Sequence, residues 1–412
     1  MSTAPVEDLL RECAPRVLAG LVRRHGQFDA CEDAVQEALL AAAVQWPAQG
    51  VPQQPQAWLT RVAGRALVDV WRADSARRRR ELATASDLID RLPVAGGDDT
   101  LALLFLCCHP ALSPPSQLAL TLRAVGGLST SEIAAALLVP EATLGKRITR
   151  AKQAIRVAGA RFELPDDVQE RGRRLVVVLH VLYLIFNEGY AVSAGSGLQR
   201  AGLTREAIRL TRLLRELMSG ECEVAGLLAL MLFTDARRAA RTGADGSLVP
   251  LDEQRRELWD EAMIAEGHTI LASVLGAGPV GHYQLQAAIA ALHDEAATAE
   301  ETDWPQILAL YDVLDQVSPS PMVTLSRAVA VAKVKGPRAG LALLGTLDAD
   351  ERMAHHHRLA AVRAHLLEQA GDASAARESY LLAATLTASL TEQRYLAMRA
   401  ARLPSVTAEE RP

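Results

Sequence analysis

LSTSEIAAALLVPEATLGKRITRAKQAIR, Leu128 to Arg156, reads as two short amphipathic helices and the turn between them. Ser129 stands three residues before Glu132, the capping-box spacing in which each side chain satisfies the other's backbone N–H, so a helix starts here. Ile133, Ala134 and Leu137 give it an apolar face. Val139-Pro140 ends it and opens a second helix, because proline suits a helix start and breaks a helix interior. In the second helix Leu144, Ile148, Ala151 and Ile155 form the buried stripe. Thr143, Lys146, Thr149, Arg150 and Gln153 project from the opposite side, with Arg147 beside them. This is the layout of a helix-turn-helix whose second helix enters the major groove of DNA. The bare pattern also fits an ordinary helix hairpin; a basic, nearly acid-free outer face favours DNA. Many such turns carry a glycine just before the hydrophobic residue, and Leu138 at that position predicts a wider or differently shaped turn.

Upstream, a second basic cluster gathers Arg72, Arg77, Arg78, Arg79 and Arg80 at the end of a helix patterned by Trp58, Leu59, Val62, Ala63, Ala66 and Val70. Cations beside a helix C-terminus are favourable without any ligand. Five arginines in nine residues exceed that need and suit phosphate neutralisation. Before a proline-rich loop, Gln45 to Gln56, the residues Val35, Ala38, Leu39, Ala42 and Trp46 share one helical face. Asp29 and Glu32 have capping-box spacing, so this helix is expected from about Ala30 to Trp46. Its other face carries Glu32, Asp33, Gln36 and Glu37, an acidic patch that periodicity alone reads as a solvated surface.

The 412 residues are 50% hydrophobic and 23% charged, which excludes wholesale disorder, while 4% aromatics call for a core of Ala, Leu and Val. An all-α fold is the expectation. Residues 1–165 hold 19 Lys/Arg against 17 Asp/Glu, and the rest 25 against 32, so the parts carry +2 and −7. Cys13, Cys31, Cys107, Cys108 and Cys222 show no paired CxxC spacing, which predicts buried thiols and no metal. Leu175 to Phe186 is too short to span a bilayer; with Gly189 as a C-cap it reads as a buried helix, and the chain as cytoplasmic with no membrane role.

Three motifs then fall into order: D-x-x-Q-E at Asp33, Gln36 and Glu37, the run WLTRVAGRALVDVWR from Trp58 to Arg72, and the helix-turn-helix. Together they resemble regions 2 and 4 of a bacterial extracytoplasmic-function sigma factor over about residues 5–161. The resemblance implies that Asp33, Gln36 and Glu37 dock on core RNA polymerase. It also implies that the Gln45 to Gln56 loop captures a flipped base of the minus-ten element and that the helix-turn-helix binds the minus-thirty-five element of promoter DNA. Many members carry Asn where this chain has Arg65. Trp58 is expected in core packing more than in strand opening.

Beyond residue 170 the chain repeats. Ala376, Tyr380 and Ala383 have the small-aromatic-small spacing of a tetratricopeptide (TPR) repeat. Ile307, Tyr311, Leu314 and Pro319 follow the same pattern 69 residues earlier, with a weaker repeat over Ser326 to Leu344 and Gly336 near its turn. An α-solenoid is expected. CCHPAL at Cys107 to Leu112 and TDW at Thr302 to Trp304 look like the sigma subgroup with a large C-terminal helical extension. The expected units are 1–82 (region 2), a linker 83–100, 101–161 (region 4) and 170–403 (extension). The extension would bind a protein segment or dock on the sigma regions. Cys107-Cys108-His109 and His355 to His357 diverge around helices and predict no metal site; Gly195-Ser196-Gly197 reads as a loop. No cofactor or convergent catalytic set is visible, so an enzyme is not expected. The rival reading is a stand-alone helix-turn-helix regulator with a solenoid sensor, which has no need of the D-x-x-Q-E face.

Overall fold

Alanine-rich, aromatic-poor segments bury their surface best by close helix packing, and the structure follows that rule. A computed structural model describes residues 4–74, 97–137, 139–190, 201–243, 246–353 and 356–404. Among these residues regular structure is helical throughout, apart from one β-bridge between Thr242 and Leu248. No helix among them is long and apolar enough to cross a membrane. Two compact units divide the chain, Met1–Ile185 and Phe186–Pro412.

The first unit holds α1 (Ala4–His25), α2 (Phe28–Gln49), α3 (Pro55–Asp74), α4 (Gly97–Cys107), α5 (Pro114–Ala124), α6 (Thr130–Leu137) and α7 (Glu141–Val157). It also holds most of α8 (Val168–Tyr190). The Ser129 box forms as expected: Ser129 N–H donates to Glu132 Oε2 at 2.7 Å and Glu132 N–H to Ser129 Oγ at 3.2 Å. Leu144, Ile148, Ala151 and Ile155 are all buried.

Four local expectations are corrected. Asp29 caps nothing, because α2 starts two residues earlier with Gln27 as its N-cap residue and no side-chain cap. The helix also continues through Pro47 to Gln49, so the loop after it shrinks to residues 50–54, held by Trp46 edge-on to the half-buried Trp58 at 5.5 Å. Residues 97–100, read as linker, form the first turn of α4. Gly189 lies inside α8 and caps nothing; a Cβ there would meet the Thr204 backbone nitrogen at 2.6 Å, so its missing side chain admits a crossing helix. Arg77 to Arg80, Leu138, the linker residues before Gly97, Gly195 to Gly197 and His355 lie outside the described residues.

The second unit continues with α9 (Ala201–Leu217), α10 (Cys222–Ala236), α11 (Glu261–Val274) and α12 (His282–Glu295). Apolar on all sides, α10 is buried along nearly its whole length. Gly226 lets the α12 backbone come so close that a Cβ would sit 2.6 Å from Gln284 N. Six helices complete the solenoid: α13 (Trp304–Val317), α14 (Pro321–Lys335), α15 (Pro337–Gly345), α16 (His357–Gln369), α17 (Ala373–Leu386) and α18 (Leu390–Arg402).

The repeat is visible in the register. Counted from the starts of α13, α15 and α17 at 304, 337 and 373, the residues three, seven and ten positions on face the core, the last of the middle set lying in the turn just after α15. These are Ile307, Tyr311 and Leu314, then Gly340, Leu344 and Leu347, then Ala376, Tyr380 and Ala383. Eight of the nine are buried and Tyr311 is half-buried. The weak middle repeat is therefore real, with Gly336 at φ +91° turning the chain from α14 into α15. Three apolar clusters follow one another along these helices, each sharing a helix with the next, which is how a solenoid buries its faces.

Candidate nucleic-acid interface

The outward side of α7 is what the sequence predicts. Thr143, Lys146, Thr149, Arg150 and Gln153 are exposed and Arg147 is half-buried. Lys146, Arg147 and Arg150 have no carboxylate partner among the described residues, so their donors face solvent. Thr149 donates its hydroxyl to Gly145 O at 3.0 Å, and Gln153 accepts from Arg156. The single acid of the helix, Glu141, sits in its first turn, where the helix dipole favours it.

The inward side of α7 holds what sequence reading missed. Lys152 is buried and reaches Glu32 Oε2 at 2.6 Å, Asp33 Oδ1 at 2.7 Å and Asp29 Oδ1 at 3.9 Å. Arg123, from the last turn of α5, donates its Nε to Glu32 Oε1 at 2.7 Å and its Nη1 to Thr130 Oγ1 at 2.7 Å. Arg156 meets Asp29 at 3.5 Å. Three cations of α5 and α7 thus neutralise three carboxylates of α2. At its centre the Glu32 side chain is 0% exposed and Lys152 only 7%. Burial works against the Lys152 ammonium, but Glu32 and Asp33 outweigh it and hold its pKa above the usual lysine value.

This contact corrects the reading of the acidic patch as one exposed face. Asp33 and Glu37 are exposed, whereas Glu32 is fully buried and Gln36 nearly so, its amide 3.5 Å from Arg123 O. The signal was present: Lys152 stands four residues after Ile148 and next to Ala151, on the buried stripe of α7. A lysine there needs a carboxylate from another element, and only the fold supplies it. In the upstream cluster Arg72 belongs to α3.

Cys107 and Cys108 pack in the core as expected; Cys108 Sγ lies 3.5 Å from the Thr121 hydroxyl, and burial pushes its thiol up to about 12. No group of three or more metal-ligating side chains converges among the described residues. His356 and His357 do not diverge: their rings stack 5.2 Å apart, His356 caps α16, and His357 meets Glu392 at 3.2 Å.

Residues 9–78 match the family model of sigma-70 region 2, and residues 102–155 that of sigma-70 region 4. The chain is a sigma factor of the extracytoplasmic-function type. Helices α1 to α3 of this sigma factor fall in region 2, and the helix-turn-helix of α6 and α7 in region 4. Its role is in transcription initiation, with core RNA polymerase and promoter DNA as partners. Residues 174–275 match a family of unknown function, DUF6596, and the match ends before the solenoid repeats. An uncharacterized protein of Rhizobium meliloti (strain 1021) is 41% identical over 420 residues, covering 99% of each chain, so the C-terminal extension is common to both. No solved structure matches this sigma factor.

Proposed function

We propose that the exposed side of α7 reads the minus-thirty-five element, with Lys146 and Arg150 on base edges or phosphates and Thr143, Arg147, Thr149 and Gln153 beside them. The observation that carries this reading is the set of unneutralised cations on a helix whose other face is buried. Arg72 and Arg77 to Arg80 would contact phosphates. Replacing Lys146 and Arg150 with alanine is expected to weaken binding to a minus-thirty-five duplex by about 1–3 kcal/mol each. Fluorescence anisotropy against a scrambled duplex checks it; equal losses on both duplexes would reduce the role of α7 to non-specific attraction.

Asp33, Gln36 and Glu37 form the surface for core polymerase in this reading, which places the protein in the cytoplasm and gives it no catalytic role. Glu37 offers the clean test, since it is exposed and outside the ion cluster. Glu37→Lys should lower affinity for core polymerase at least about tenfold while leaving the thermal midpoint unchanged. Full affinity in the folded variant would remove the face from the polymerase contact.

A second feature belongs to the same reading. Because region 4 covers Glu32 and Gln36 through Lys152 and Arg123, the free sigma factor holds part of that face closed, and polymerase binds by drawing the two regions apart. The extension, 170–403, either braces the opened state or holds the closed one, alone or with a protein partner. Transcription by a chain ended near Phe162 separates these: a loss from a folded fragment means bracing, a gain means restraint.

A further inference from the structure

The second unit is acidic overall, yet one cavity in it has a wall of opposite character. It measures about 880 Å³ and lies among residues 250–256, α12, α13, α14 and α16 to α18. That volume is within the roughly 300–1,000 Å³ typical of sites for small organic ligands. Three cations, Arg256, Lys333 and Arg399, line it against two carboxylates, Asp252 and Glu300.

The cations are held in different ways. Arg399 is fixed by Glu368 at 2.6 Å, which also accepts the Tyr380 hydroxyl at 2.6 Å. Arg256 spends its Nη1 on two carbonyls, His293 O at 2.6 Å and Ala296 O at 2.5 Å, and stacks on Trp259 at 4.6 Å. Those contacts orient the guanidinium without cancelling its charge. Lys333 stands over the Trp304 ring at 5.5 Å, and neither it nor Arg256 has an ion-pair partner among the described residues. Glu300 takes hydrogen bonds from its own backbone and Thr298, and its charge acts on Arg256 and Lys333 only from beyond ion-pair distance. His293 adds no charge, because burial and then Arg237 and Arg256 bring it down to about 3. The remaining surface is largely apolar and aromatic, with Trp304 and Tyr311 on one side and Val329 and Leu396 on others.

We propose that this cavity is a binding site for a small organic anion with an aromatic or apolar body, its acid group set between Arg256 and Lys333 and its body against Trp304. Half-buried Arg256 and exposed Lys333, neither held in a direct carboxylate ion pair among the described residues, keep donors for an anion's acid group, and the ring beside Lys333 supplies both cation–π contact and a flat apolar wall. All the residues that line the site belong to the second unit.

The test uses the full chain and two fluorescent probes, 8-anilinonaphthalene-1-sulfonate and its uncharged relative N-phenyl-1-naphthylamine. The sulfonate is expected to bind saturably at one site, and the neutral probe at least about tenfold more weakly. Lys333→Glu, at an exposed position, should weaken the sulfonate at least about tenfold, with Lys333→Gln in between. Val329→Trp should abolish binding by filling the void. Far-ultraviolet circular dichroism and the thermal midpoint verify that each variant is folded; if Val329→Trp is not, the Lys333 pair still decides. Equal binding of both probes, no saturable site, or sulfonate binding indifferent to the Lys333 variants would overturn the proposal.

Discussion

Lys152→Met is expected to release region 4 from region 2. The substitution keeps the side-chain volume but leaves the Glu32 carboxylate, 0% exposed, with Arg123 as its remaining charged partner. Breaking one member of a buried ion group costs about 3–5 kcal/mol, far more than an exposed pair, because the charge left behind stays desolvated. If the contact closes the polymerase face, a loss of about 3 kcal/mol makes the open form easier to reach and tightens core binding by up to about a hundredfold. Energy transfer between dyes on α2 and α7 should report the separation, and titration with core polymerase the affinity. Separation without tighter binding would show that the cluster only stabilises the free protein. Arg156→Ala, by contrast, should have little effect, since Arg156 meets Asp29 at 3.5 Å with 65% of its side chain exposed.

Asp294→Ala should have a comparable effect on the extension. Arg237 donates its Nε to Asp294 at 2.6 Å and its Nη2 to Ala290 O at 2.7 Å, and stacks on Trp259 at 5.2 Å. Both partners are almost fully buried, joining the end of α10 to the end of α12. Without the carboxylate an unpaired guanidinium remains inside, costing about 3–5 kcal/mol. Urea unfolding followed at the tryptophans should show the lower midpoint; a change under about 1 kcal/mol would mean that Arg237 finds water or another acceptor. Replacing both partners by apolar residues should restore much of the loss, because neither charge is then buried alone.

What local chemistry specifies was legible in the sequence. The Ser129 capping box needs only residues three apart, and the buried stripe of α7 only helical periodicity. The period of the solenoid is likewise written along the chain, so even the weak middle repeat proved to share the register of its neighbours. The all-α fold followed from composition, and membership of the sigma-70 family from three motifs in order.

Where a side chain had two partners to choose from, the tertiary structure decided. Asp29 has the spacing of a cap, but α2 begins before it and the carboxylate turns to Lys152 and Arg156 across the unit. Glu32 and Gln36 look like solvated residues on a polar helical face until α5 and α7 cover them. Gly189 has the sequence of a helix end, and the close passage of α9 gives it another use. The ion cluster and the cationic cavity are likewise assembled from residues tens of positions apart. Helix propensity and capping act within about four residues and can be read along the chain; burial of charge depends on which distant element arrives, and that is fixed only when the helices pack.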